Sequence, residues 1–151
     1  MASEISFKRW LRSELKARGI WSEAIEPSRG SGVGVPDLVV LLEGKHLVFL
    51  ELKIGQKKQL SDQFWVLQVS PIRPAQYSWH RNYQSYGGVS AIVVGVNKGS
   101  QWEPFILLPL TQDEFLKFGK DKFVSFGKVW PWDFLGGQIG AFEELVRKLN
   151  L

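Results

Sequence analysis

The chain of 151 residues is long enough for one domain with a buried core and too short for two. Its apolar fraction of 44% and charged fraction of 23% are typical of a globular protein and exclude a disordered one. The absence of cysteine excludes disulfides and thiolate metal sites, and the net charge of +4 permits a polyanionic partner without requiring one.

The first residues of the chain, 1–9, lack the apolar segment of a secretory signal peptide. No apolar run approaches the ~18 residues that a membrane-spanning helix needs. We therefore expect a single domain over residues 1–151, located in the cytoplasm and without a membrane partner.

A helix is predicted from Ser3 to Arg18, because Ser3 can cap its start and Gly19 can end it. Its apolar residues recur at helical spacing: Phe7, Trp10, Leu11, Leu15 and Ala17. Glu14 falls inside this stripe, where a lone carboxylate is costly unless it is paired or bound to a cation. Two interpretations stay open, since Glu14 can pair with Arg18 one turn later or belong to a functional site.

A short strand is predicted at residues 20–25, and a glycine-rich segment follows from Pro27 to Pro36. This segment lacks the spacing and the terminal Lys-Ser/Thr of a P-loop, so it does not indicate nucleotide binding. Either it lets the backbone of a substrate approach closely, or it is a flexible connection.

The next residues predict a β-hairpin of two apolar strands joined by a tight turn centred on Gly44. Asp37 and Glu51 lie seven residues to either side of Gly44, so an in-register hairpin places them opposite one another. Their Cβ atoms would then be roughly 4.5–5.5 Å apart. Lys53 falls on the same face as Glu51, because side chains alternate along a strand. Two carboxylates and an ammonium group are therefore predicted to converge at the end of a buried hairpin.

The rest of the chain alternates between strands and helices. We predict a polar connection at 55–62, a strand at 64–69, a helix from Pro74 to Gly87-Gly88, strands at 90–96 and 102–108, a helix at 111–118, an edge strand at 123–126, an irregular segment at 130–132 and a closing helix at 138–149. This order predicts an α/β domain in which helices cover both faces of a mixed central sheet.

The motif residues resemble the PD-(D/E)XK nuclease superfamily, and within it the VRR-NUC branch of small phage and bacterial nucleases. The resemblance covers about residues 5–96 and is carried by three motifs in order: Gly34-Val35-Pro36-Asp37, Glu51-Leu52-Lys53, and Arg73-Pro74-Ala75-Gln76 followed by Gly87-Gly88. It implies a restriction-endonuclease-like fold and a metal-dependent endonuclease that hydrolyses phosphodiester bonds in DNA. Holliday junctions and flaps are the candidate substrates.

The resemblance also implies the roles of individual residues. Asp37, Glu51 and the backbone carbonyl of Leu52 would bind Mg²⁺, for which Mn²⁺ can substitute, because Mg²⁺ prefers oxygen ligands. Lys53 would orient or activate the attacking water, and Gln76 would orient Lys53 or that water. By the same resemblance, Glu14 would complete the outer shell of the metal. The competing interpretation of Asp37, Glu51 and Lys53 is a cross-strand ion pair without a catalytic role.

Basic residues recur around the predicted hairpin. Those assigned to nucleic-acid contact are Arg29, Lys57, Lys58, Arg73 and Arg81, and a further basic cluster lies on the predicted N-terminal helix at Lys8, Arg9, Arg12, Lys16 and Arg18. Each cluster taken alone is equally consistent with a solvated surface. A nuclease that resolves a junction would be a two-fold homodimer, because a junction has two symmetric cleavage points.

Two other functions fit parts of the sequence. A non-catalytic nucleic-acid-binding module on a nuclease fold would bind DNA without needing Asp37, Glu51 or a divalent metal. A sequence-specific restriction-type nuclease is disfavoured, because the chain has little room for an element that reads bases.

Overall fold

The structure is a computed structural model that describes residues 3–26, 34–42, 46–61, 64–69, 72–107, 123–125 and 129–131. Within these residues it contains two helices and eight strands. In chain order they are α1 (Glu4–Ala17), β1 (Trp21–Ala24), β2 (Leu38–Leu42), β3 (His46–Ser61), β4 (Phe64–Val69), α2 (Pro74–Ser85), β5 (Val89–Lys98), β6 (Gln101–Leu107), β7 (Phe123–Ser125) and β8 (Val129–Pro131).

The strands form one mixed sheet in the order β1-β2-β3-β5-β6-β8, and β4 branches from β3 to pair with β7. The β3–β5 pair is parallel, whereas the other pairs are antiparallel. Parallel neighbours need a crossover connection, and here it runs through β4 and α2. The glutamate and lysine of the predicted site therefore lie on the central strand β3.

Helix α1 covers one face of the sheet, which we call the α1 side. Phe7, Leu11 and Leu15 are fully buried in a cluster that includes Leu50 and Leu52 of β3. The local signals are those expected for a helix, since the Ser3 hydroxyl accepts a hydrogen bond from the Ser6 amide at 3.1 Å.

Helix α2 covers the opposite face, the α2 side, and a second apolar cluster lies there. Its members are Leu67, Val69, Ile72, Ile92, Val94, Val96 and Phe105, with Tyr77 of α2 packed against them. A mixed sheet with a helix on each face confirms the predicted α/β fold class. Among the described helices, none has the length and apolar character to cross a membrane.

Two segments differ from the sequence prediction. Residues 55–62 were expected to form a polar connection, but β3 continues to Ser61 and pairs with β4. One polar side chain of this extension has partners on a neighbouring strand, since Lys57 binds Glu103 of β6 at 2.5 Å and lies over the Phe105 ring. Residues 129–131 form a short strand paired with β6, although an irregular segment was predicted at 130–132. The predicted helices at 111–118 and 138–149 lie outside the described residues.

Candidate active site

The hairpin register brings the two predicted carboxylates together. Strands β2 and β3 pair from Leu42↔His46 to Leu38↔Leu50, so the next opposed pair is Asp37 and Glu51. The amide of Asp37 continues the ladder by donating to the Leu50 carbonyl at 3.1 Å. The position of these carboxylates, predicted from the turn at Gly44, is thus reproduced in the structure.

Asp37 lies where β1 ends and β2 begins. Its carbonyl accepts a hydrogen bond from the Ile25 amide at 2.9 Å, and its carboxylate Oδ2 accepts one from the Leu52 amide at 2.9 Å. Backbone groups of alternate strand residues point to the same side, so the Leu52 carbonyl also turns toward the side of β3 on which Asp37 lies. Asp37 therefore joins β1, β2 and β3 by hydrogen bonds, and its carboxylate lies beside Glu51.

Glu51 is only 2% exposed, and its two carboxyl oxygens have different surroundings. Oε1 accepts a hydrogen bond from Gln76 Nε2 at 2.6 Å and lies 3.7 Å from Lys53 Nζ. Oε2 has no hydrogen-bond donor among the described residues. A buried oxygen without a donor is costly unless a cation or a proton satisfies it.

The electrostatics of Glu51 follow from this environment. Burial raises the pKa of its carboxyl, the adjacent Asp37 carboxylate raises it further, and Lys53 opposes both, so that the pKa lies at about 8. Near neutral pH the pocket therefore favours either a proton or another positive charge on Glu51.

Gln76 is fixed in orientation by two hydrogen bonds. Its Oε1 accepts from the Arg73 amide at 2.9 Å, one of the amides that the start of α2 leaves unpaired. The amide nitrogen is thereby directed at the Glu51 carboxylate. A single side chain thus caps α2 and links it to the acidic pair.

The glycine-rich segment contacts the same helix start. Gly34 has φ +91°, a region that favours glycine, and a Cβ at this position would overlap the backbone carbonyl of Ala75. The backbone leading to Asp37 therefore packs directly on the first turn of α2. At this end of the glycine-rich segment, the close backbone contact is therefore with the protein itself.

Lys53 is 5% exposed and shares the α2 side of β3 with Glu51. A buried ammonium so close to a carboxylate keeps a positive charge within reach of any group that binds to the acidic pair. Four of the residues predicted for the site, Asp37, Glu51, Lys53 and Gln76, thus form one contiguous cluster.

The donor set of this cluster suits a hard divalent cation. Mg²⁺ typically binds through one or two carboxylates and completes its octahedral shell with waters and phosphate oxygens. Asp37 and Glu51 supply two such carboxylates, and the unsatisfied Oε2 of Glu51 is the kind of oxygen that a cation would bind. A third acidic or histidine ligand is not part of the cluster, because no group of three such residues occurs in the portion of the chain that the structure describes.

Glu14 has no hydrogen bond or ion pair with Asp37 or Glu51 in the described part of the chain, and its role in the outer shell of a metal stays a prediction. It is half-buried on α1, while the carboxylate of that helix whose charge raises the pKa of Glu51 is Glu4 in the first turn. Phe7, one turn later, packs on Gly95 on the α1 side of the sheet.

The described residues that were predicted to contact nucleic acid lie on two different elements, β3 and α2. Lys57 forms an ion pair with Glu103 and lies over the Phe105 ring, and Lys58 is exposed on β3. Arg73 is exposed at the start of α2, and Arg81 is exposed within that helix. Arg29 lies outside the described residues.

A second buried polar cluster, not anticipated from the sequence, lies one helical turn from Gln76. His80 is 1% exposed, and its Nδ1 hydrogen-bonds the Ser90 hydroxyl at 2.7 Å. Gln84 Nε2 donates to the same hydroxyl at 3.1 Å. Burial lowers the pKa of His80 to about 4, so the ring is neutral at physiological pH. The spacing of Gln76, His80 and Gln84 on one helix face was the available signal.

No protein-family model matches the chain, and no curated protein matches it. Among solved structures, the chain is similar to Hjc, a Holliday junction resolvase from the archaeal hyperthermophile Archaeoglobus fulgidus. The two chains are 16% identical, the alignment covers 70% of this chain and 80% of Hjc, and the TM-score is 0.45. Similarity at this level carries no argument about chemistry, which depends on the residues of the site.

Proposed function

We propose that the protein is a metal-dependent endonuclease that hydrolyses phosphodiester bonds in DNA. The observation that carries the proposal is Glu51, whose buried carboxyl faces Asp37 and retains one oxygen without a donor among the described residues. Lys53 lies 3.7 Å from the other oxygen, so this ion pair leaves Oε2 available to a cation.

The ligands proposed for Mg²⁺ are the carboxylates of Asp37 and Glu51 and the carbonyl of Leu52. A bound Mg²⁺ would polarise the scissile phosphate and lower the pKa of the attacking water. The Asp37 carboxylate is suited to this position, because its hydrogen bond to the Leu52 amide ties it to the strand that carries the other two ligands.

Lys53 and Gln76 have complementary roles in the proposal. When water attacks phosphorus, negative charge accumulates on the phosphoryl oxygens until one ester P–O bond breaks and the leaving oxygen takes a proton. The ammonium group of Lys53 stabilises that charge from a buried position, where electrostatic interactions are strong. Gln76 holds Oε1 of Glu51, so that Oε2 is the oxygen turned toward the ligand.

The proposed substrate is branched DNA, with Holliday junctions and flaps as the first structures to examine, and the proposed assembly is a homodimer. Both are supported by the motif resemblance and by the two-fold symmetry of a junction. The cytoplasm is the proposed location, in keeping with a chain that has no cysteine.

The test is to incubate the protein with Mg²⁺ and labelled four-way junction, flap and linear DNA, alongside Asp37→Asn and Lys53→Ala. We expect cleavage of branched DNA to fall by about 10²–10³-fold in either variant, because each removes a group that acts on the reacting phosphate. Glu23→Gln is the matched control, since Glu23 is an exposed acid on β1 and its variant should cleave like the unaltered protein.

Cleavage that needs neither Asp37 nor Lys53 would contradict the proposed site. DNA binding without Mg²⁺-dependent cleavage of any of the three substrates would instead identify a non-catalytic nucleic-acid-binding module.

A further inference from the structure

A groove of about 460 Å³ lies between α1 and the edge strand β1, outside the proposed active site. It is lined by Arg12, Ser13, Lys16, Ile20, Trp21 and Ser22. Two of these side chains are cationic and two carry hydroxyl groups, whereas no acidic residue is among the described residues that line it. The groove therefore presents positive charge and hydrogen-bond donors together.

Arg12 is directed into the groove by its approach to β1. Its Nε lies 3.4 Å from the Ser22 hydroxyl and its Nη2 lies 3.4 Å from the Ser22 carbonyl. Both distances are longer than a typical N–H···O bond, and they involve at most two of the five donors of the guanidinium group. Ser22 thus orients Arg12 and leaves donors for a ligand.

Lys16 follows Arg12 by one helical turn, so the two cations are neighbours on α1. Like charges at this spacing repel one another, and an anion between them relieves the repulsion. A planar guanidinium beside an ammonium and two hydroxyls is a donor set suited to phosphate oxygens.

Strand β1 connects this groove with the acidic pair. Ser22 lines the groove, and three residues later the Ile25 amide donates to the carbonyl of Asp37 at 2.9 Å. At ~3.3 Å per strand residue, the groove lies roughly 10 Å from Asp37 along β1. The groove lies on the α1 side of the sheet and the acidic pair on the α2 side, with the edge strand β1 between them.

We propose that the Arg12–Lys16 groove binds the phosphate backbone of the DNA at the β1 edge of the sheet, outside the bond that is cut. The inference rests on the proposed nuclease function and adds to it a backbone subsite outside the reacting centre. Because phosphates are the same in every sequence, the groove positions DNA without selecting its bases.

The test measures binding with cleavage blocked, so that it does not depend on catalysis. Fluorescently labelled four-way junction DNA is titrated by anisotropy in EDTA at several salt concentrations, using the full chain and the variants Arg12→Gln and Lys16→Gln. Each variant should weaken binding by a similar factor on two junctions of unrelated sequence. The slope of log K against log salt should decrease in magnitude by about 0.9 for each phosphate that the variant no longer neutralises.

Two controls separate the groove from general charge and from folding. Lys98→Gln removes one positive charge at the end of β5, across the sheet from β1, and should leave affinity and slope nearly unchanged. Arg12→Lys keeps the charge but cannot reproduce the paired approach to Ser22, and it should retain most of the affinity. Where Mg²⁺ supports cleavage, Arg12→Gln should raise KM while kcat at saturating DNA stays constant.

The groove is not a DNA subsite if Arg12→Gln and Lys16→Gln bind like Lys98→Gln, or if the unaltered chain binds no DNA at low salt. If binding depends on the groove while Mg²⁺ supports no cleavage, the nuclease function fails and the subsite stands. If cleavage depends on Asp37 while the groove variants behave normally, the subsite alone fails.

Discussion

The two faces of the central sheet differ in what their side chains do, although they alternate along the same strands. On the α1 side, Leu50 and Leu52 of β3 join an entirely apolar cluster beneath α1. On the α2 side, Glu51 and Lys53 of the same strand are buried and polar, and Gln76 faces them from the helix. Along β3, the α1 side therefore contributes apolar packing, whereas the α2 side, which also contains the second apolar cluster, carries the groups that cost stability.

This division has a physical reason. Burying a charged pair is at best weakly stabilising, because desolvation offsets the Coulombic attraction. A site with a buried carboxylate needs strands held in place by something else, and the apolar cluster under α1 supplies this. Substitutions on the two faces should therefore have opposite signatures in stability and activity.

The largest expected effect on stability comes from Leu50→Ala on the α1 side. Leu50 is fully buried, so the reduced burial and the resulting cavity should lower the free energy of unfolding by about 2–5 kcal/mol. The adjacent Glu51→Gln removes a buried charge and keeps a side chain of nearly the same shape, so the stability should not fall. Urea denaturation of both variants at pH 8 measures the difference.

The contrast would fail if Glu51→Gln destabilised the protein as much as Leu50→Ala. Cleavage of branched DNA provides the reverse readout. Glu51→Gln should abolish most of the activity, whereas the fraction of Leu50→Ala that remains folded should still be active.

The sequence was sufficient to predict much of this arrangement, for identifiable reasons. The distances of Asp37 and Glu51 from Gly44 determine the register, and alternation then determines which side Lys53 occupies. Helical spacing places Glu14 inside the apolar stripe of the first helix but does not determine what its carboxylate contacts. The polar residues after Gly55 resembled a loop, because Glu103, which binds Lys57, is distant in sequence.

The second prediction concerns pH and uses the raised pKa of Glu51. A group whose pKa is about 8 in the folded protein and 4.5 as a free side chain binds more protons in the folded state between these values. Its contribution to stability is complete below pH 4.5 and is lost as the pH rises to about 8. His80 acts in the opposite direction, because its pKa is lowered from 6.5 to about 4, so stability is lost as the pH falls through that window.

Between pH 4.5 and 6.5 the two contributions oppose one another, and above pH 6.5 only that of Glu51 remains. We expect the stability of the unaltered protein to fall from about pH 6.5 to about pH 8.5 relative to that of Glu51→Gln. Mn²⁺ or Mg²⁺ should restore stability more strongly at about pH 8.5 than at about pH 6, because metal binding requires the ionised carboxylate. Thermal denaturation of both proteins with and without metal checks this, and identical pH profiles would contradict a buried, proton-binding Glu51.

The smallest expected effect tests how the α2 side is positioned. Gly34 and Gly19 both have positive φ, +91° and +73°, so alanine at either position adds backbone strain of about 1–2 kcal/mol. A Cβ at Gly19 meets no atom within 4 Å, whereas a Cβ at Gly34 overlaps the first turn of α2, next to Gln76. Gly19→Ala is therefore a matched control for the strain alone.

Gly34→Ala should destabilise the protein more than Gly19→Ala and should also reduce cleavage, because the added methyl group displaces the helix start that directs Gln76 at Glu51. Denaturation midpoints measure the first effect, and kcat at saturating DNA measures the second. Equal cleavage by the two variants would mean that the backbone packing at Gly34 does not position Gln76. Reduced cleavage in Gly34→Ala alone would show that the polar face depends on this backbone packing as well as on the apolar cluster across the sheet.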